Sequence, residues 1–296
     1  MFSEYESPKV NPELLWQRQA LEEGRGRGYG ASYEPFIRVQ RGDLSSQGVS
    51  QTAPNPLLRR THHLLSQIEY AIALLLMYLG AGELREQYRL SLYDDDDEFT
   101  AGSCFHEGTV SLAKKRGIRH PAISSTQPRI LTTDFVVEDR DGFERAVFVR
   151  LRQDVPRRNG RQMQLLDLQN LYWQVRGIPF YVLTEDDLDP RLIDLLIWAY
   201  AGYLEIQGQA SLEFLDFIGS RDGNAPLLRA LDGWPAGAGD AVAQFKAAVF
   251  TGQIAVRLHT KKLPNLNEPW YFSTPVSTSV PRLRGFFAKK EARHVR

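Results

Sequence analysis

Apolar residues recur along the chain with two periods, and the switch between them outlines its elements. From Leu58 to Leu79, Leu64, Leu65, Ile68, Ile72, Leu75, Leu76 and Leu79 follow three-and-four spacing, which predicts one helix over 58–79. Glu69 lies at i+4 from Leu65 and i−3 from Ile72, on or beside the buried stripe, where a carboxylate costs desolvation energy unless something pairs with it. A second stripe of Leu165, Leu168, Tyr172 and Val175 predicts a helix over 161–176, ended by Gly177 and followed by a strand over 178–184. Between these helices the period falls to two. Residues 130–137 are β-rich, Glu138 to Gly142 reads as a turn, and Val147, Val149 and Leu151 face one way while Phe148, Arg150 and Arg152 face the other, so that 130–152 is a hairpin. Weaker signals give strands over 33–40 and 87–93, an irregular loop over 42–56, and a solvated acidic loop over 94–98, which lacks the spacing and glycine of an EF-hand.

Capping residues add the ends. Asn11-Pro12-Glu13 starts a helix that runs to Glu23. The stretch Glu23-Gly-Arg-Gly-Arg-Gly-Tyr-Gly30 is then either a flexible connector or a place where backbone amides approach a phosphate; it has no Walker pattern and follows a helix rather than a strand. Asp189-Pro190 opens a helix to about Leu204. Short helices over 211–260 end in one over 240–251, and Gly252 with a strand over 253–258 completes a recognition-helix-and-wing succession. Past Pro264 the chain is rich in proline, serine and threonine, and residues 281–296 carry six Lys or Arg against one Glu, a polyelectrolyte arm or a solvated end. The order α-β-β-β-α-β predicts an α/β fold, a mixed sheet with helices packed on it.

Composition narrows the chemistry. The 296 residues suffice for one large domain or two ordinary ones, and 43% hydrophobic with 24% charged residues excludes wholesale disorder. Cys104 is the only cysteine, which excludes an internal disulfide and a thiolate zinc cluster, and the adjacent His62 and His63 diverge too far on a helix to chelate one ion alone. The apolar runs 71–79 and 195–204 are too short to span a bilayer and the acidic N-terminus has no signal core, so a soluble protein of a reducing compartment, with no membrane partner, is expected. Lys plus Arg, 36, equals Asp plus Glu, 36. A stand-alone DNA binder shows a basic surplus, so either nucleic acid is not the partner or another subunit supplies the affinity.

Metal-dependent phosphodiester cleavage needs carboxylates to hold Mg²⁺ and a cation to orient the attacking water. One economical scaffold takes a glutamate from a helix, an aspartate from one hairpin strand, and a pair two apart on the returning strand. Here the positions are Glu69, Asp134 and Arg150-x-Arg152. The spacing fits a nuclease hairpin, and the residue types fit in part.

Several strings in register resemble the TnsA family, the endonuclease subunit of heteromeric TnsABC-type transposition systems: Glu23 to Gly30, Arg60-Thr-His-His-Leu-Leu-Ser-Gln-Ile-Glu69, Arg85-Glu-Gln-Tyr88, Gly117-Ile-Arg-His-Pro121, Thr133-Asp-Phe135, Tyr172-Trp-Gln174 and Gly177-Ile-Pro179. They cover about residues 15–205. The resemblance implies a restriction-endonuclease-like catalytic domain over 1–186, a mixed sheet flanked by helices, then a smaller, mainly helical, winged-helix-like C-terminal domain over 187–263 and a basic, flexible tail over 264–296. It implies nicking of the 5′ strands at transposon ends beside a TnsB-type DDE transposase, with a TnsC-type AAA+ ATPase contacting the C-terminal part, in the bacterial cytoplasm.

Carried over by position, Glu69 and Asp134 match the family's Mg²⁺ carboxylates, Arg152 stands at its catalytic lysine, and Arg150 stands at a glutamine. Both departures bear on chemistry. A guanidinium does not release its proton, so Arg152 cannot act as a general base, and Arg150 puts a fixed cation where a neutral group is expected. Two carboxylates and two guanidiniums could neutralise one another in place of Mg²⁺. Two readings follow: an endonuclease with Arg152 in the lysine's role, or a catalytically impaired adaptor that assembles TnsB and TnsC on DNA. A restriction-like nuclease outside transposition is a third.

Overall fold

The computed structural model describes residues 11–40, 43, 49–94, 106–154, 160–235, 240–258, 263, 265–274 and 279–294, with side chains in the last stretch given for 282–290. Cys104 and most of the acidic run lie outside the described residues. Helix α1 (Pro12–Glu22) begins as the caps imply, Asn11 Oδ1 accepting from the Glu13 N–H. The glycine-rich stretch after it is neither a loose connector nor an open phosphate cradle. Arg25 is buried and ion-paired to Glu23 and Asp43, and the Gly26 and Gly30 amides donate to Glu34 O and Glu83 Oε2. Gly26 (φ +75) is obligatory: a Cβ there would lie 2.4 Å from that of Arg89. Residues 33–40 form no strand, although Tyr33 and Phe36 are buried.

The expected loop 42–56 and the first turns of the expected helix 58–79 instead build a hairpin, β1 (Gln51–Asn55) with β2 (Arg60–Leu64), closed by Arg59 at φ 54. Leu64 belongs to the apolar end of β2; it mimics a helical stripe because α2 (Gln67–Leu79) follows at once. Ser66 caps α2 and Gly80, left-handed at φ 91, ends it.

Strand β3 (Glu83–Arg89) starts four residues before the expected 87–93. Its alternation is hidden because Glu83, Arg85 and Glu86 are buried charges, each paired: Glu83 with the Gly30 amide, Arg85 with Glu144, and Glu86 with Arg60 and His62. Helix α3 (Thr109–Lys115) precedes the predicted hairpin, β4 (Thr132–Glu138) and β5 (Glu144–Val149). Helix α4 (Arg161–Gln174) crosses over to β6 (Phe180–Leu183). The four strands lie in the order β3-β4-β5-β6, the first three antiparallel and the last parallel to β5. Phe135, Val137 and Val147 pack in the cluster containing α2, and Val136 and Ala146 pack with Leu168, Tyr172 and Trp173 of α4. This mixed sheet between helices is the restriction-endonuclease-like arrangement expected.

The remainder is mainly helical: α5 (Pro190–Glu205), α6 (Leu212–Gly219), α7 (Leu227–Leu231) and α8 (Ala241–Phe250). Helices α5 and α8 meet closely at Gly202, where a Cβ would lie 2.6 Å from Ala243 O. After Gly252 comes β7 (Ala255–Val256), as expected, but its antiparallel partner β8 (Phe272–Ser273) lies past residue 263. Within the expected flexible tail, the described residues include a helix: α9 (Ser279–His294) folds back on the sheet half. Leu283 and Phe287 join the α2 cluster, Arg282 donates to Tyr78 O, Arg284 binds Asp139 and Asp141, and Lys290 binds Asp187 at 2.6 Å. Two of the tail's cations, Arg284 and Lys290, are paired with specific acids, and its two phenylalanines supply an apolar face.

Candidate active site

Ser66 is the residue that aims Glu69. Its hydroxyl oxygen accepts from the Glu69 N–H at 3.2 Å, and the Glu69 side chain turns back so that Oε1 accepts from Ser66 Oγ at 3.0 Å and Oε2 from the Leu65 N–H at 2.9 Å. The carboxylate is thereby fixed at the positive end of α2, 5% exposed.

Asp134 sits where the sheet opens. The β4–β5 ladder runs Glu138–Glu144 to Phe135–Val147 and stops; one position on, the Val149 N–H is taken by Asp134 Oδ2 at 2.6 Å rather than by a backbone carbonyl. On the other side, the β3–β4 register passes from Glu86–Phe135 to Tyr88–Thr133 across Gln87 and Asp134 without pairing them. Alternation breaks at this point: Phe135 packs toward α2, yet the Thr133 hydroxyl meets Trp173 and Gln169 of α4.

Gln87, buried and at φ 48, turns its side chain into the gap. Its amide nitrogen donates to Glu69 Oε2 at 3.3 Å, its carbonyl oxygen accepts from the Thr132 hydroxyl, and the amide lies near enough to Asp134 to help hold that carboxyl down. From the sequence, Gln87 is the start of a strand and one letter of the string 85–88, with no role at a site. Its signal is its register opposite Asp134, which requires knowing the strand pairing.

The two carboxylates feel one another. Burial, and then the charge of Asp134, push Glu69 up to about 7. Asp134 is raised as well by burial, against the pull of Arg150, the Val149 N–H and the Gln87 amide. At neutral pH the pair therefore holds a proton for part of the time, which marks a site short of positive charge.

The two arginines part company. Arg150 Nη1 lies 3.8 Å from Asp134 Oδ2, its guanidinium over the Phe148 ring and about half exposed. Arg152 does not join them. β5 ends at Val149, the chain turns through Arg152–Asp154, and the Arg152 N–H donates to Glu185 Oε2 while its side chain, 66% exposed, lies 3.6 Å from Asp186. Strand alternation thus never extends to 152, and the expected four-group neutralisation fails: two carboxylates face one guanidinium.

The donor set suits a hard divalent cation. Mg²⁺ is held by one or two carboxylates with water completing its shell, and no third His, Cys, Asp or Glu joins the pair among the described residues. Glu69, Asp134 and the oxygen of Gln87 offer the right chemistry, with Arg150 the group that opposes it.

The chain is similar to the transposon Tn7 transposition protein TnsA of Escherichia coli, 29% identical over 182 residues, 61% of this chain and 60% of that relative. The match thus covers less than two thirds of the relative's length. No protein-family model matches the chain. Among the described residues no helix is long and apolar enough to cross a membrane.

Proposed function

We propose that this chain is the nuclease-fold subunit of a TnsABC-type transposition system, nicking the 5′ strands at transposon ends beside a TnsB-type transposase by Mg²⁺-dependent hydrolysis in the bacterial cytoplasm. The observation that carries the reading is the meeting of Glu69 and Asp134 at the opening of the sheet. Glu69 and Asp134 would hold Mg²⁺, which supplies Lewis-acid stabilisation of the phosphate and a more acidic water. The chain's own part is positional. Ser66 and Leu65 fix Glu69, the Val149 amide fixes Asp134, and Arg150 at the rim can take a phosphate oxygen in its fork. Neither arginine can accept a proton, so base catalysis falls to the carboxylates or the phosphate itself. The α8–β7–β8 unit, a winged-helix-like element in this reading, and α9 are assigned to the TnsC-type AAA+ ATPase.

A second reading, a catalytically impaired adaptor that brings TnsB and TnsC together on DNA, is favoured by one observation: Arg152, at the family's lysine position, faces Glu185 and Asp186. Nicking of transposon-end DNA with both partners present separates the two. Activity in wild type that Asp134→Ala abolishes supports the enzyme; activity that appears only in Arg152→Lys supports the adaptor.

A further inference from the structure

Gln87 occupies a conformation that its own backbone disfavours. A non-glycine residue at φ 48 within a strand is uncommon, and such strain persists only where the surroundings impose it. The surroundings here are explicit. Glu86 before it is clamped by Arg60, His62 and the His63 N–H, and Tyr88 after it stacks on Tyr33 and packs against Trp173. With both neighbours held, the residue between them is turned out of the ladder opposite Asp134, and its buried amide donates to Glu69 Oε2 while Thr132 orients it from behind.

We propose that Gln87 is a positioning residue of the metal site, the neutral amide that sets the separation of Glu69 and Asp134 and offers its carbonyl oxygen to the cation or its water shell. The inference rests on the metal-dependent reading above. It also answers the departure at Arg150: the uncharged amide that this site lacks just past the end of β5 is supplied from β3, on the opposite side of Asp134. The amide has two faces for two states. Its N–H donates to Glu69 when no cation lies between the carboxylates, and rotation of the amide plane exchanges nitrogen for oxygen without moving the backbone.

The test uses the full chain without DNA: Mn²⁺ binding by calorimetry and thermal melting without metal, on wild type, Gln87→Gly, Gln87→Asn and Asp134→Ala. Glycine and asparagine both tolerate positive φ, so neither variant needs to rearrange the strand. The expected result is a melting temperature within a few degrees of wild type, or above it for glycine, with Mn²⁺ affinity lowered about tenfold, as for other groups that orient metal ligands. Folded variants with unchanged affinity overturn the proposal, and so does a loss of affinity seen only in variants that have lost their folding transition. If wild type shows no Mn²⁺ site that Asp134→Ala removes, the metal-dependent reading itself has failed and the inference falls with it; a wild-type site untouched by Gln87 substitution defeats this inference alone.

Discussion

Glu69 and Glu86 are both buried carboxylates, and their surroundings drive them in opposite directions. Arg60, His62 and the His63 amide hold Glu86 down to about 2, so its stabilising contribution is present above the unfolded value near 4.5 and is lost as pH falls toward 2. Glu69 is raised to about 7, so the folded state prefers its protonated form, and stability is lost as pH rises from about 4.5 through 7. Glu69→Gln mimics the protonated acid. Without metal it should leave stability nearly unchanged at pH 5 and raise it at pH 8 by on the order of 2–3 kcal/mol, read from thermal melts at both pH values. Arg150→Gln removes the one guanidinium beside Asp134 and should strengthen Mn²⁺ binding by roughly three- to tenfold, the scale of a half-exposed ion pair; calorimetry showing equal or weaker binding would contradict the antagonism ascribed to Arg150. Hairpin spacing and a glutamate on an apolar stripe are local patterns that point to Glu69 and Asp134. Each acid alone, however, reads as a paired helix residue or an edge-strand acid, and only the strings shared with the TnsA family join them into a candidate site. The diversion of Arg152 was not legible in the sequence, because Glu185 and Asp186 capture it from more than thirty residues away.

At the scale of elements, Ser66 serves both as the cap of α2 and as a ligand of the Glu69 side chain. Ser66→Ala should therefore cost about 1 kcal/mol in stability, from the cap, and also weaken Mn²⁺ binding, from the released carboxylate. Chemical denaturation and calorimetry on the same variant check the two effects separately. Among the boundaries that the sequence places well, the starts of α1, α5 and α8 each have a side-chain cap, Asn11, Asp189 and Asp240. Those it misplaced share a cause. β2 and α2 are joined by only Leu65 and Ser66, so two apolar periods run together, and in β3 the alternation is carried by buried charges whose partners lie in other elements.

Across the whole molecule, the two halves of the chain share one apolar cluster, which runs from Ala53 to Phe287 and which α9 joins through Leu283 and Phe287. Phe287 is 1% exposed and lies 4.5 Å from the Tyr181 ring. Truncating it to alanine should cost about 3–4 kcal/mol, and the loss should appear as a lower midpoint of a transition that includes the sheet, followed by circular dichroism. A composition-level reading of residues 281–296 could not find this, since a basic segment looks the same whether its partners are phosphates or Asp139, Asp141 and Asp187. The same pairings withdraw cations from solution. With a net charge of zero, the isolated chain should bind DNA weakly and with a shallow salt dependence, which fluorescence anisotropy between low and physiological salt would reveal; tight binding without partners would contradict it.

Tyr203 of α5 gives its hydroxyl to Asn55, Asn55 donates to His62, and His62 reaches Glu86, the neighbour of Gln87. The freedom of α5 to vary is therefore curtailed by demands made on a strand in the other half of the chain. A library randomising position 203 and screened for nicking rather than for folding should return tyrosine, because phenylalanine fills the same space yet leaves the first link of that relay unmade.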